Sequence, residues 1–499
     1  MYWLGLDVGT GGSRALLINE AGKLKAAFTA PHQDMLMLRP LWAEQDPNDW
    51  WAASQRAIQG VLDAAAAKPD DVKGIGLSGQ MHGLTLLDTK HEVIRPALIW
   101  CDQRSQAQVD AINERLSSKF VLEATANPVV TGFTLPKFLW VREHEPKQYE
   151  RIRKVLLPKD YIRFKLTGEF ATEVSDASGT SMFDVVHRRW SDTLLSRLAI
   201  PGSFLPKVYE SAEVTGTVRA DVATRLGLQP GTPVIGGGGD QAASAVGNGI
   251  VEPGLVSCTL GTSGVVFAHM EQPAYDAPGR VHTFCHAVRD KWHVMGVTQG
   301  AGLSLQWFRN QLAPDVDYDV LGREAATSEL GADGLFWLPY LMGERTPHLD
   351  ATARAAFVGL TAKHTRADMV RAILEGVAFS QKDGLDIIEQ LGGNVQSIRL
   401  SGGGARSPIW RKIFAGVFGR TVVTLESQEG SAFGAAILAM VGTGAFASVP
   451  EACRAVIREA DCLEPNENEV RQYRELHGTY QALYPALRDT FRTIASRVR

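Results

Sequence analysis

The sequence predicts an α/β protein made of two similar halves, and three observations carry that reading. Strand-like and helix-like stretches alternate along the whole chain, the pattern of sheets covered by helices. At 499 residues the chain exceeds what one ordinary core accommodates. The third observation is a repeat: residues 2–7, the turn Gly9-Thr10-Gly11-Gly12-Ser13 and residues 15–18 read as a hairpin with a glycine-rich tip, and residues 255–260, Gly261-Thr262-Ser263-Gly264 and residues 265–267 read the same way. A duplicated α/β domain is the economical explanation, with residues 1–248 as one half and 249–499 as the other, parted near Val251-Glu252-Pro253-Gly254.

The elements follow in order. After the first hairpin, Asp46-Pro47 starts a helix to about Ala67, with Trp50, Ala53, Ala57, Ile58, Val61 and Leu62 on one face. Residues 73–78 form a buried strand ending in Gly79-Gln80-Met81-His82-Gly83, and 84–87 with 93–100 read as a second hairpin. Helical pieces and polar loops run to residue 200, where Arg188-Arg189-Trp190 reads as solvated surface. Val234-Ile235 runs into Gly236-Gly237-Gly238-Gly239 and then Asp240-Gln241 and a run of small residues: strand, bare turn, helix. In the second half helices are expected at 303–312, 365–390 and 431–441, and strands at 398–400 and 421–425. The spacing of Tyr473, Leu476, Tyr480, Leu483, Leu487, Phe491 and Ile494 predicts a C-terminal amphipathic helix kinked at Pro485.

Composition narrows the function. With 45% hydrophobic and 21% charged residues the chain has a globular profile, and a net charge of −4 without a basic block argues against nucleic acid as a partner. Five scattered cysteines, never spaced C-x-x-C, fit a reduced, cytoplasmic compartment. The first seven residues lack a signal-peptide pattern and no 18 apolar residues run together, so neither export nor a membrane span is expected.

Three glycine-rich turns, near Gly9, Gly261 and Gly402, each follow a short strand. Their backbone N–H groups can wrap a phosphate, and Thr or Ser hydroxyls add donors. None matches the Walker or the dinucleotide-binding pattern, and a tight turn without a ligand is the plain alternative for each. Asp7, two residues before Gly9, adds a carboxylate where a Mg²⁺ ion or its waters would need an acceptor. Asp240 is the candidate chemical centre; as the first charge after the turn it could equally cap the helix.

Paired Gly-Thr turns with the later Ser401-Gly402-Gly403-Gly404-Ala405 resemble the actin, Hsp70 and sugar-kinase superfamily. Residues 132–140, Gly-Phe-Thr-Leu-Pro-Lys-Phe-Leu-Trp, resemble the first signature of the FGGY carbohydrate kinases, and the span from Ala355 through Asp368-Met369 to Glu375 resembles the second. Within that family Ser78-Gly79-Gln80-Met81-His82-Gly83, Leu157-Pro158-Lys159-Asp160-Tyr161, residues 175–180 and Gly343-Glu344-Arg345-Thr346-Pro347-His348 are similar to the branch that phosphorylates xylulose. Glycerol-phosphorylating members carry Arg-Glu where this chain has Met81-His82; many of the xylulose branch carry Asn where this chain has Gln241 and Cys101.

The resemblance implies two ribonuclease-H-like domains flanking a deep cleft, ATP and Mg²⁺ as cofactors, and transfer of the γ-phosphoryl group to the terminal hydroxyl of a ketopentose, D-xylulose, in pentose catabolism. It implies Asp240 as general base; Met81, His82, Trp100 and Gln241 around the sugar; Gly9, Thr10, Gly11, Gly261, Thr262 and Ser263 at the phosphates; Gln306, Gly403, Gly404, Ala405 and Ser407 at the adenosine; and Asp7 acting on the metal through water. A homodimer is also implied. Ribulose, a hexulose or glycerol as acceptor, or an actin-like or Hsp70-like ATPase acting on protein partners, remain the alternatives.

Overall fold

The computed structural model describes residues 1–427 and 429–497. Apolar alternation in the opening residues builds the first sheet: Tyr2–Val8 pairs antiparallel with Gly12–Ile18 and parallel with Val72–Gly79, which sets Asp7 between Arg14 and Ser78. The complete order is Val214–Thr217, Pro233–Ile235, Val72–Gly79, Tyr2–Val8, Gly12–Ile18, Leu24–Pro31, with Gly238–Gly239 beside the end of Val72–Gly79. The second sheet runs Glu459–Leu463, Thr421–Leu425, Val395–Ser401, Gly254–Leu260, Gly264–Met270, Trp292–Thr298, His282–Cys285. From their first strands onward both sheets pair antiparallel, parallel, parallel, antiparallel, antiparallel. The repeat of two hairpins is thus a repeat of two α/β domains, the second extended by His282–Cys285.

Local chemistry sets the helix ends. Asp46 accepts from the Asn48 N–H at 2.9 Å and starts Pro47–Ala65, whose expected apolar face is buried throughout. Thr365 and Asp368 form a capping box for Arg366–Gln390. The small residues of Gly430–Gly442 serve close packing on the first sheet, from which their place in the sequence is remote. A Cβ at Gly5 would fall 1.9 Å from the Ala432 carbonyl oxygen and one at Gly76 1.8 Å from that of Ala435. Arg14 and Glu429 add an ion pair at 2.6 Å beside that contact.

Two expectations change. Residues 84–87 and 93–100 are joined only by the bridges Leu84↔Leu98 and Leu87↔Val93; Thr85–Leu87 pairs instead with Lys154–Leu156, and Ala97–Leu98 with Glu44–Gln45. Alternation marks a strand but cannot choose its partner. Arg188 is not a solvated residue: its guanidinium grips Glu210 at 2.6 Å and donates to the Lys291 carbonyl. The expected C-terminal amphipathic helix forms as Glu467–Arg497, with Pro485 inside it and Tyr480, Tyr484 and Phe491 buried on both sides of that proline. All five cysteines are unpaired, and no helix among the described residues is long and apolar enough to cross a membrane.

Candidate active site

Position 237, in the turn before Asp240, can only be glycine. Gly237 has φ +73°, and a Cβ there would lie 1.9 Å from the Leu77 carbonyl oxygen. Gly238–Gly239 then runs beside Ser78 and Gly79, and the helix Asp240–Gly247 starts with Gly239 in the cap position. Asp240 is therefore the first helical residue and not the cap.

Behind the turn lies a fully buried ionic cluster. Lys159 meets Asp160, Glu173 and Asp176 at 2.8, 3.4 and 3.3 Å, and Arg163 meets Asp160 at 2.7 Å. Arg163 also donates to the Gly236 carbonyl, and Ser175 Oγ accepts from the Gly239 N–H at 3.1 Å. The Lys159-Asp160 and Ser175-Asp176 motifs thus act on the glycine turn from the rear, as its scaffold.

Sheet register brings Asp7 and Asp240 together: Asp7 pairs with Ser78, which pairs with Gly238, two residues before Asp240. Desolvation, and then the charge of Asp7, lift the Asp240 carboxyl from 3.8 to about 7, against bonds from Gln241 that favour its charged form. Asp7 is itself raised by burial, countered by Ser78 and Arg14. One of its oxygens, Oδ1, is buried without a hydrogen-bond partner. A paired-carboxylate site with an orphaned oxygen fits a divalent cation or its water shell.

Met81 and His82 lie next to this pair. A Cβ at Gly239 would come within 2.9 Å of the Met81 side chain, so Met81 rests on the backbone that carries Asp240. His82 has φ +69° and stacks on Phe133 at 4.4 Å. Its carbonyl accepts from Thr134 Oγ1 and from Lys137 Nζ, both at 3.1 Å, so residues 132–140 hold the strained His82 backbone in place. Because Nδ1 lies 2.6 Å from the Gly179 carbonyl oxygen, an acceptor only, Nδ1 carries the proton and Nε2 is left as a lone-pair acceptor. Burial holds the ring near 3, hence neutral at physiological pH.

The Gly9 turn closes on itself through a bond from the Gly9 N–H to the Gly12 carbonyl at 3.0 Å, while Gly11 is exposed at its tip. Thr10 Oγ1 receives Trp100 Nε1 at 3.0 Å and donates to Gln80 Oε1 at 3.3 Å; its carbonyl takes Gln45 Nε2 at 2.8 Å. Trp100, half exposed, is thus tied to the Gly9 turn. The structure adds Gln45 and Gln80 to the site. Gln80 could be found from the Gly-Gln-Met-His motif, but Gln45 is 35 residues away from it and leaves no local signal.

In the second half a cavity of about 490 Å³ is lined by Gly261, Thr262, Gln306, Gly403, Gly404 and Ser407, with Leu374, Tyr318 and Trp410 as apolar walls. Gly402, at φ +83°, turns the chain where a Cβ would meet the Leu260 carbonyl at 2.6 Å. Ser407 accepts from the Trp410 N–H as helix cap at 3.4 Å, a structural duty beside any ligand role. Ala405 faces an adjoining cavity of about 610 Å³ that also takes Ser244 and Asn248 from the stretch following Asp240. Ser263 lines neither cavity.

Models of the N-terminal and C-terminal domains of the FGGY family of carbohydrate kinases match residues 2–247 and 256–443. This chain belongs to the FGGY family of carbohydrate kinases. A xylulose kinase from Escherichia coli strain K12 is 39% identical over 97% of this chain and 99% of its own length, and one from Bacillus subtilis strain 168 is 37% identical over 98% and 97%. The crystal structure of a xylulose kinase from Rhodospirillum rubrum superposes with a TM-score of 0.92 at 30% identity, covering 99% of this chain and 100% of that one. The FGGY kinase described here is thus a phosphotransferase acting on a carbohydrate with ATP as donor, and both family models fall on the two duplicated sheets. An ATPase working on protein partners is set aside by the same finding.

Proposed function

We propose that this FGGY kinase transfers the γ-phosphoryl group of ATP to the terminal hydroxyl of D-xylulose, with Asp240 as general base. The observation that carries the base assignment is a carboxyl held near 7, free of capping duty, beside the Met81-His82 pair. A base with that affinity is half deprotonated at neutral pH and takes a proton readily as the hydroxyl attacks. The near full-length likeness to kinases of xylulose supports the choice of sugar.

In this reading His82 Nε2 accepts a hydrogen bond from a sugar hydroxyl, and Met81, Gln241 and Trp100 bound the sugar. The Gly9-Thr10-Gly11 and Gly261-Thr262-Ser263 turns donate to the phosphates from opposite halves. Gln306, Gly403, Gly404, Ala405 and Ser407 border the adenosine, whose base suits the apolar walls of the 490 Å³ cavity. Asp7 is the residue that would hold Mg²⁺, through water at Oδ1; when bound, the ion neutralises phosphate charge. Water exclusion falls to closure of the cleft between residues 1–248 and 249–499. A cytoplasmic homodimer is the expected working form.

A coupled assay of ADP release with D-xylulose, D-ribulose, D-fructose, gluconate, polyols and glycerol tests the proposal. The expected result is the highest kcat/KM for D-xylulose and little ATP turnover without sugar. A higher value for another acceptor would overturn the substrate, and full turnover without any acceptor would overturn the reaction.

A further inference from the structure

The Gly343-Glu344-Arg345-Thr346-Pro347 motif has no part in the mechanism above, yet the fold fixes it firmly. Glu344 Oε1 accepts from the N–H groups of Gln299 and Arg345, both at 2.8 Å. Thr346 Oγ1 donates to the Arg280 carbonyl at 2.7 Å and accepts from the Val297 N–H at 3.0 Å, while the Thr346 N–H donates to the Val297 carbonyl at 3.0 Å. Arg345 is thereby held between the end of Trp292–Thr298 and the chain just before His282–Cys285.

The side chain so placed is only partly accessible, and among the described residues it makes neither an ion pair nor a hydrogen bond. Its surroundings come from both halves. His282 lies 5.4 Å, ring to ring, from Phe133, the residue on which His82 stacks. Thr283 N–H and His282 Nδ1 both point at Asn127 Oδ1, at 3.2 Å each; that oxygen only accepts, so His282 too carries its proton on Nδ1 and leaves Nε2 as an acceptor. The Arg345 charge helps to depress both rings, after burial, to about 3. Five guanidinium donors without protein acceptors among the described residues thus lie near two neutral imidazole acceptors, on chain anchored to Arg280 and Val297 beside the His282–Phe133–His82 ring group.

A guanidinium stripped of much of its water and given no acceptor is costly unless a ligand supplies one. Polyhydroxy chains match this set: hydroxyls both donate and accept, and a ketone oxygen accepts only. We infer that Arg345 is a substrate-binding residue contributed by the second half, donating to the oxygens of the sugar, with His282 near it. The inference rests on the reading that Met81-His82 line the sugar site. Sugar then bridges the two halves, and its binding favours their approach.

The test is steady-state kinetics and calorimetric titration of the full chain with D-xylulose, for Arg345→Gln and Arg345→Lys. Losing a charge-assisted hydrogen bond should raise the sugar KM, and the calorimetric Kd without ATP, by about 10- to 150-fold in Arg345→Gln. Arg345→Lys, which keeps the charge but not the planar fork, should fall between, and the ATP KM should stay within about threefold of the unmodified enzyme. An unchanged sugar KM, or sugar and ATP KM rising together, would overturn the inference. If the acceptor screen selects another sugar, the same variants are read with that sugar, so an error over D-xylulose and an error over Arg345 give different results. Should Arg345→Gln not fold, Arg345→Lys carries the same reading.

Discussion

Asp240→Asn separates a working base from a structural aspartate, because it moves activity and stability in opposite directions. The Asp240 carboxyl stands at about 7 against an ordinary 3.8, roughly three units, or about 4 kcal/mol in favour of the neutral form. Because the side chain is partly exposed, screening reduces the penalty on its charged form to about 1–3 kcal/mol. The sign follows from linkage. Below pH 4 the acid is neutral in both folded and unfolded chains and costs nothing; between pH 4 and 7 only the unfolded chain releases its proton, so the penalty grows, and above pH 7 it is complete. A neutral amide of the same shape escapes it. Asp240→Asn should thus be more stable than the unmodified enzyme by about 1–3 kcal/mol at pH 8 in denaturant melts, with the gap closing toward pH 4. Sugar-dependent ADP release should meanwhile fall by at least about 10²- to 10⁴-fold with ATP binding retained. The unmodified enzyme should lose kcat/KM about tenfold per pH unit below 7. Near-normal turnover in Asp240→Asn, or a loss of stability at pH 8, would refute the reasoning.

Asp7→Asn removes the like charge that helps to raise Asp240, so the acid limb of kcat/KM should move to lower pH even as the maximum rate drops; a limb that stays in place would show that the two carboxylates do not interact. His82→Ala should raise the sugar KM more than the ATP KM in steady-state assays, and the reverse order would remove His82 from the sugar site. Arg163→Met leaves buried carboxylates short of a partner and frees the Gly236 carbonyl, so denaturant melts should show a loss of about 3–5 kcal/mol; a loss under 1 kcal/mol would mean that the cluster does not hold the glycine turn.

The sequence by itself determined what depends on neighbours in the chain. Caps and periodicity marked the helix from Pro47, the helix Arg366–Gln390 and the strand Thr421–Leu425, because hydrogen bonds three or four residues apart and side-chain alternation are local properties. The two Gly-Thr hairpins exposed the duplication, and motifs led to the family and to Asp240, Met81 and His82. Tertiary structure alone decided what contacts between remote residues create. Gly430–Gly442 lies on the first sheet because its glycines and alanines let backbones meet, a complementarity visible only once both surfaces exist. Thr85–Leu87 pairs with Lys154–Leu156 because the same alternating face suits several partners and packing selects one. The affinity of Asp240 for its proton comes from burial and from Asp7, 233 positions earlier, brought near by strand register. Gln45 at the Thr10 carbonyl and Arg345 without an acceptor belong to the same class: each residue's chemistry is written in the sequence, but its partners, and hence its free energy, are set by the fold.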